Sequence, residues 1–305
     1  MTWPKLDIVI PTKSLSDPML LDLIKSIDSQ WYPKNRITYH IETKGNSEEA
    51  KAYGIAKCRG DIVALFCTDN LLTRKSFLAR MVILASRPDV IGAYPAYYTH
   101  EKSDPALNRY FALIGANDPV CYALDKADRY DRIQHPYFGV QEFNNSIPSI
   151  GDNGFFIKRA AIQVVVKDPS KHFCIDAIED LRKLGLSSYY IANLDIHHRT
   201  GNNLLDWVKR RYRYVAELYW RDYDKRRWKM VQTKQDWECI ADFVVCSILI
   251  FPNLLLSWAG NERVPDKAWF LHPVVCLLLT LIYGWAWLIH RLPRLLFRRG
   301  NVRLT

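Results

Sequence analysis

Residues 54–70 read GIAKCRGDIVALFCTDN, and this run decides the fold. It leaves the tail of a helix, turns at Gly60, enters an apolar strand and stops at a polar triplet, Thr68-Asp69-Asn70. A short unbroken apolar run bounded by turn residues suits a strand covered on both faces. Upstream, LDIVIPT at 6–12 and ITYHIET at 37–43 are two more strands. Between the strands, Pro18 to Gln30 carries helical spacing at Leu20, Leu21, Leu23, Ile24 and Ile27. Ser47 to Cys58 is a predicted helix with Ser47 as its N-cap, and Leu71 to Ser86 is predicted helical again. Strand and helix alternating in this way predict an α/β fold with a largely parallel sheet. Ligands of such sheets bind at the carboxyl ends of the strands, here Pro11-Thr12, Glu42 and Thr68-Asp69-Asn70. The bland alternative for Asp69-Asn70 is a turn that caps a helix beginning at Leu71.

The chain has 305 residues, 49% apolar and 24% charged, which excludes wholesale disorder and collagen-like repeats. Lys and Arg number 42 against 32 Asp and Glu, a formal charge of +10 that attracts nucleic acid, anionic lipid or phosphorylated substrates. Seven cysteines are scattered without a CxxC, so neither a disulfide framework nor a zinc site is expected. The first turn carries no dinucleotide fingerprint and no GxxxxGK[ST] loop, which argues against NAD enzymes and P-loop NTPases. The start, MTWPKLDIVIP, has no basic region before a long apolar stretch, so no signal peptide is expected.

The last quarter changes character. Residues 240–258 are mostly apolar, interrupted by Asp242, Pro252 and Asn253, and 269–289 hold no Asp, Glu, Lys or Arg. A bilayer core takes roughly 20 apolar residues as a helix. With the polar turn AGNERVPDKA between them, the two segments predict a transmembrane helical hairpin within 238–305. Pro252 and Asn253 could bend the first segment and make the hairpin re-entrant. Arg291, Arg294, Arg298, Arg299 and Arg303 form a basic tail, and Arg221, Lys225, Arg226, Arg227, Lys229 and Lys234 precede the first segment. Positive flanks of this kind place both termini in the cytosol. Residues 204–237 read as basic, aromatic interfacial helices, with Trp207, Trp220, Trp228 and Trp237 at headgroup depth. The same composition suits RNA, but no RNA-binding motif accompanies it and no nucleic acid is expected.

The order of the front segments carries a family resemblance. DIVIPT, then HIETKGNS, then GIAKCRGDIVALFCTDN is similar to the nucleotide-binding half of a GT-A glycosyltransferase of family 2. Gly54, Ala56, Gly60, Asp61, Phe66 and Asp69 fall on that family's spacing, and the likeness runs over roughly 5–215. It implies a nucleotide-diphospho-sugar transferase domain over 1–203 with a Rossmann-like mixed sheet. In it Pro11 and Thr12 would line the nucleoside pocket, and Glu42 would bond the base or ribose. Thr68-Asp69-Asn70 takes the DxD place, which holds the sugar nucleotide and a Mg2+ or Mn2+ on its diphosphate. Asp69 and Asn70 are the implied metal-side residues, joined by His198 from the IHH pair. Thr68 and Asn70 stand where the family has aspartates, so Asp69 is the one full carboxylate of the triplet.

The second half of the family pattern follows in order. IPSIGDNGFFIKRAAI resembles its acceptor-side segment, which puts Asn153 and Gly154 beside the acceptor. IEDLRKLG resembles its ED motif, which assigns the acceptor proton to Asp180 with Glu179 as neighbour. Arg210-Arg211-Tyr212-Arg213-Tyr214 resembles the QxxRW motif: Arg210 and Arg213 would grip the leaving diphosphate, with Tyr214 on the acceptor side. Asp125, Asp128 and Gly115-Ala116-Asn117-Asp118 read as plain loop turns.

The resulting expectation is a membrane-bound inverting glycosyltransferase at the cytosolic face. Its donor is a nucleotide-sugar, and its acceptor a polyprenyl phosphate, lipid-linked glycan or other tethered molecule; a homo-oligomer is left open. Two alternatives stand beside it: a catalytically weakened nucleotide-sugar-binding pseudoenzyme, which the altered triplet sustains, and a membrane-anchored interaction protein.

Overall fold

The computed structural model describes residues 2–133, 137–201 and 203–293. The front half runs β1 (Leu6–Pro11), α1 (Pro18–Asp28), β2 (Ile37–Glu42), α2 (Ser47–Lys57), β3 (Ile62–Leu65), β4 (Asn70–Leu71) and α3 (Phe77–Ala85). Then come β5 (Gly92–Thr99), α4 (Ala106–Ile114), α5 (Pro119–Ala123), β6 (Gly139–Glu142), β7 (Phe155–Lys158), α6 (Arg159–Val165), α7 (Cys174–Lys183) and β8 (Ser188–His198). Among the described residues these strands form one sheet in the order β2-β1-β3-β7-β5-β8-β4, with β6 added to β8. β1, β2, β3, β5 and β8 run one way, while β4, β6 and β7 run against them. The sheet is therefore mixed, with its parallel set matching the strand–helix alternation.

Alternation along the strands divides the apolar core in two. Leu6, Ile8, Ile10, Ala64 and Phe156 face α1 and α3, whereas Val9, Val63, Leu65, Phe155 and Ile157 face α2, α4 and α7. Two local expectations are corrected. The α2 cap is Asn46, one residue earlier than expected, in a reciprocal capping box with Glu49. No helix begins at Leu71: Asn70–Leu71 is a two-residue strand on the end of β8, and α3 starts at Phe77. Asp69-Asn70 is thus a strand-edge turn rather than a helix cap.

The C-terminal part comprises α8 (Leu204–Arg213), a π-helical turn (Tyr214–Trp220), α9 (Lys234–Leu249), α10 (Phe251–Arg263) and α11 (His272–His290). Lys267–His290 spans 24 residues and is long and apolar enough to cross a bilayer. The other expected span is not one straight helix. α9 and α10 meet at 93°, at Ile250, whose φ of 63° is left-handed, and Pro252 opens α10 without a backbone N–H to give. Ile248, Leu249, Phe251, Leu254, Leu255, Leu256 and Trp258 are exposed around that bend. Trp269, Val275 and Leu279 join the core formed by α2, α4 and α7, so the helices after residue 203 complete the interior of the α/β part. Trp207 and Trp228, 2% and 5% exposed, also belong to this core; they do not lie on a surface. The tail residues Arg294, Arg298, Arg299 and Arg303 fall outside the described residues.

Candidate active site

The carboxyl ends of β3 and β8 lead into the wall of a cavity of about 340 Å3. Three loops of the sheet edge and α8 supply much of its polar wall. The first loop is 66–70. Pairing of Asn70 with His198 sets Asp69 beside the end of β8, and Asp69 Oδ2 lies 3.2 Å from His198 Nε2. Burial opposes a charged imidazole, but Asp69, with Asp128 and Asp152 farther off, outweighs it and holds His198 above its ordinary range. The Asn70 side chain is committed to the loop: its Oδ1 accepts from Cys67 N at 3.0 Å and its Nδ2 donates to Asn153 Oδ1 at 3.2 Å.

The second loop is GDNG, 151–154, leading into β7. Gly151, Asn153 and Gly154 all have positive φ. Gly154 has φ +80°, where any side chain is strained, and a Cβ there would also press on Ile196 Cδ1 at 2.8 Å. This tight turn aims Asp152 and Asn153 into the cavity wall. Asn153 Nδ2 donates to Tyr98 Oη at 2.9 Å, and Tyr98 in turn donates to Asp128. Burial holds the Asp128 carboxyl above its ordinary range despite Arg129 beside it. The third loop, after α4, carries Asn117 and Asp118. Asn117 reaches His198 Nδ1 at 3.2 Å, and Asp118 caps α5 through Val120 N.

Cations come from the helices. On α8, Trp207, Arg210 and Arg211 line the cavity, followed by Tyr214. Positions i, i+3, i+4 and i+7 share one helix face. Arg210 donates to Thr200 O. Arg211 Nη1 lies 3.3 Å from Asp118 Oδ2, which also accepts from Tyr283 Oη at 2.6 Å. Tyr283 is on α11, so the apolar C-terminal helix contributes directly to the wall. Arg226 and Trp228 join it, held there by Asp176 on α7, which accepts from Trp228 N at 2.9 Å and from Arg226 Nη1 at 3.2 Å.

Of the residues singled out in the sequence, Asp69, His198, Asn153, Arg210 and Tyr214 line this cavity together. Pro11, Thr12 and Glu42 cluster at the ends of β1 and β2, outside its wall: Pro11 pairs with Glu42, Thr12 N donates to Glu42 O, and Lys57 Nζ sits 2.5 Å from the Glu42 carboxylate. Gly154 shapes the loop without facing the cavity, and Arg213 is on the exposed side of α8. Glu179 and Asp180 lie outside the wall as well. Glu179 takes a bidentate pair from Arg182 at 2.7 and 2.8 Å, and Asp180 is ion-paired with Arg227 at 2.6 Å. Asp128 and Asn117-Asp118, expected as loop turns, are buried or cavity-lining instead. Asp152, Arg211 and Arg226 are further charged residues of the wall to which the sequence motifs gave no role, and Glu48 and Cys174 line it as well.

The site also fits a divalent cation. Asp69 offers a hard oxygen and His198 a nitrogen, with Asp128 and Asp152 adding negative charge around the imidazole. Few protein carboxylates plus phosphate oxygens suit Mg2+ or Mn2+.

No protein-family model matches the sequence, and no curated protein matches it as a relative. Among solved structures, the mannosyltransferase PcManGT from Pyrobaculum calidifontis, in complex with GDP-Man and Mn2+, matches with a TM-score of 0.51. The identity is 12%, over 92% of this chain and 87% of that one. S. aureus TarS matches with a TM-score of 0.45 and 7% identity, over 92% of this chain and 90% of that one. The first likeness is one of fold: this chain folds like a glycosyltransferase.

Proposed function

We propose that the chain is a GT-A-type inverting glycosyltransferase that takes a sugar from a nucleoside-diphosphate donor and passes it to a membrane-tethered acceptor. The observation that carries this reading is the composition of one cavity wall. Carboxylates Asp69, Asp128 and Asp152 come from the sheet edge, and guanidiniums Arg210, Arg211 and Arg226 come from the helical side. Such a wall suits a phosphorylated sugar, whose diphosphate seeks cations and whose hydroxyls seek carboxylates. The GDP-Man and Mn2+ held by the mannosyltransferase of like fold support the same donor class.

In this reading Arg210 and Arg211 bind the diphosphate, and the nucleoside runs along the strand ends toward Pro11, Thr12 and Glu42. A divalent cation on Asp69 and His198 would neutralise charge on the leaving diphosphate. The acceptor oxygen forms its bond to the anomeric carbon as the bond to phosphate breaks, and the electron pair leaves with the nucleoside diphosphate. The acceptor proton goes to Asp128, the cavity-lining carboxyl that burial makes more basic than usual. Asp180, paired with Arg227 outside the wall, steadies the 226–228 segment in place of touching substrate. The exposed apolar bend between α9 and α10 and the 24-residue helix Lys267–His290 support attachment to a bilayer. The basic flanks of this region support a cytosolic face for the site.

The test uses the full chain in detergent with radiolabelled nucleotide-sugars, Mn2+ and a total lipid extract. Label should pass to lipid from one donor class. The reading fails if no donor gives transfer and none raises the melting temperature.

A further inference from the structure

We propose that Glu48, His172 and Cys174 form a zinc site in the wall of the same cavity. The three come from two elements that meet there: Glu48 lies in the first turn of α2, and His172 precedes Cys174, the first residue of α7. Their ligand atoms all lie within 4.8 Å of one another. Cys174 Sγ stands 3.6 Å from His172 Nε2. Tetrahedral zinc with Zn–S of about 2.3 Å and Zn–N of about 2.05 Å requires an S···N edge of about 3.6 Å. Glu48 is already aimed by its neighbours: Oε2 accepts from Cys174 N at 2.7 Å, and Oε1 accepts from Lys51 Nζ at 2.7 Å. Oε2 keeps a second lone pair for a metal, and the Lys51 contact is the outer support that ligating carboxylates usually have.

Charge and access agree. Glu48 and Asp152 flank one buried ammonium, Lys51, leaving that corner one negative charge in excess. Zn2+ together with a Cys174 thiolate brings the sum to zero, and the thiol proton passes to water as the metal binds. Three protein ligands leave a fourth position for water or substrate, and Glu48 and Cys174 both face the cavity. A second group of ligand-type residues, Asp7, His40 and Cys58, lacks this freedom. There Asp7 accepts from Arg59 N and Gly60 N and meets His40 at 3.0 Å, while Cys58 bonds Gly54 O. The sequence conceals the proposed site because its ligands are an H-x-C pair and a glutamate far upstream, in place of a CxxC.

The proposal stands apart from the choice of sugar donor, and its test reads metal alone. The full chain in detergent, stripped on a chelating resin, is titrated with Co2+ and followed by absorption. A thiolate-to-cobalt charge-transfer band in the near ultraviolet should grow to saturation at one equivalent, whatever further Co2+ the Asp69–His198 pair takes without such a band, and Zn2+ should abolish it. Cys174→Ser and His172→Ala should lose the band; Cys58→Ser and Asp69→Ala should keep it. Absence of the band in the wild-type chain overturns the proposal, as does a band that survives Cys174→Ser. The wild-type arm decides by itself if a variant fails to fold.

Discussion

Asp128→Asn separates the proposed proton acceptor from the one that the ED-like motif suggests. The amide has nearly the shape of the carboxylate and retains an oxygen for the Tyr98 hydroxyl, so the Tyr98–Asn153–Asn70 chain should persist. What disappears is the ability to take a proton. A positioned general base is worth about 10²- to 10⁴-fold, which at about 1.36 kcal/mol per decade is a barrier increase of about 3–5 kcal/mol. Turnover of labelled donor and calorimetric donor binding are measured side by side. The expected result is a kcat loss in that range with donor Kd nearly unchanged. Burial holds Asp128 above its ordinary range, and the base acts only when ionised. The wild-type rate should therefore fall on the acid side at a pH above that of an ordinary aspartate, and the variant should lose that limb. Asp180→Asn is the control and should leave kcat within a factor of a few. The reasoning is refuted if Asp128→Asn keeps wild-type turnover, or if Asp180→Asn is the variant that loses it.

Further outcomes follow from the same geometry. His198 is held above its ordinary value, so its stabilising contribution is fully present below about pH 6.5 and fades as pH rises through the higher folded value. Asp69→Asn should remove about 1–3 kcal/mol of this at low pH and flatten the melting temperature between mildly acidic and alkaline buffers; an unchanged pH profile would count against the pair. Gly154→Ala places a Cβ at φ +80° against Ile196 and should destabilise by about 1–3 kcal/mol, read as a drop of several degrees in melting temperature. Removing 238–305 takes away Trp269, Val275, Leu279 and the Tyr283–Asp118 bond, so the remainder should aggregate on size-exclusion chromatography. A monodisperse fragment with a cooperative melt would contradict the shared core.

The strands and most helices were legible because they rest on local patterns. LDIVIPT and DIVALFC carry their own burial, and the apolar runs alternate with helical spacing. The strand-end rule likewise led to Asp69, which depends on where a strand stops, while the IHH pair came from the family resemblance, and of that pair His198 lines the cavity. Residues that reach the site through long-range packing were not legible. Asp128 looks like a surface turn until β5 brings Tyr98 onto it, and Asp176 means little until the 226–228 segment folds back over α7. Basic and aromatic residues on α8 suit a membrane surface and a cavity wall equally well by composition. Burial of Trp207 against Phe111, at 5.5 Å between rings, decides for the wall. Asp180 shows the converse: a motif-like ED pair falls one turn past the cavity-facing start of α7, where Arg227 occupies it.

Calorimetric binding of a guanosine or uridine diphospho-sugar, with and without Mn2+, to the wild-type chain and to Asp69→Ala tests the central claim most directly. The account predicts metal-enhanced binding in the wild type and its loss in Asp69→Ala. Equal affinity in the two proteins, or no nucleotide-sugar binding by either, would contradict it.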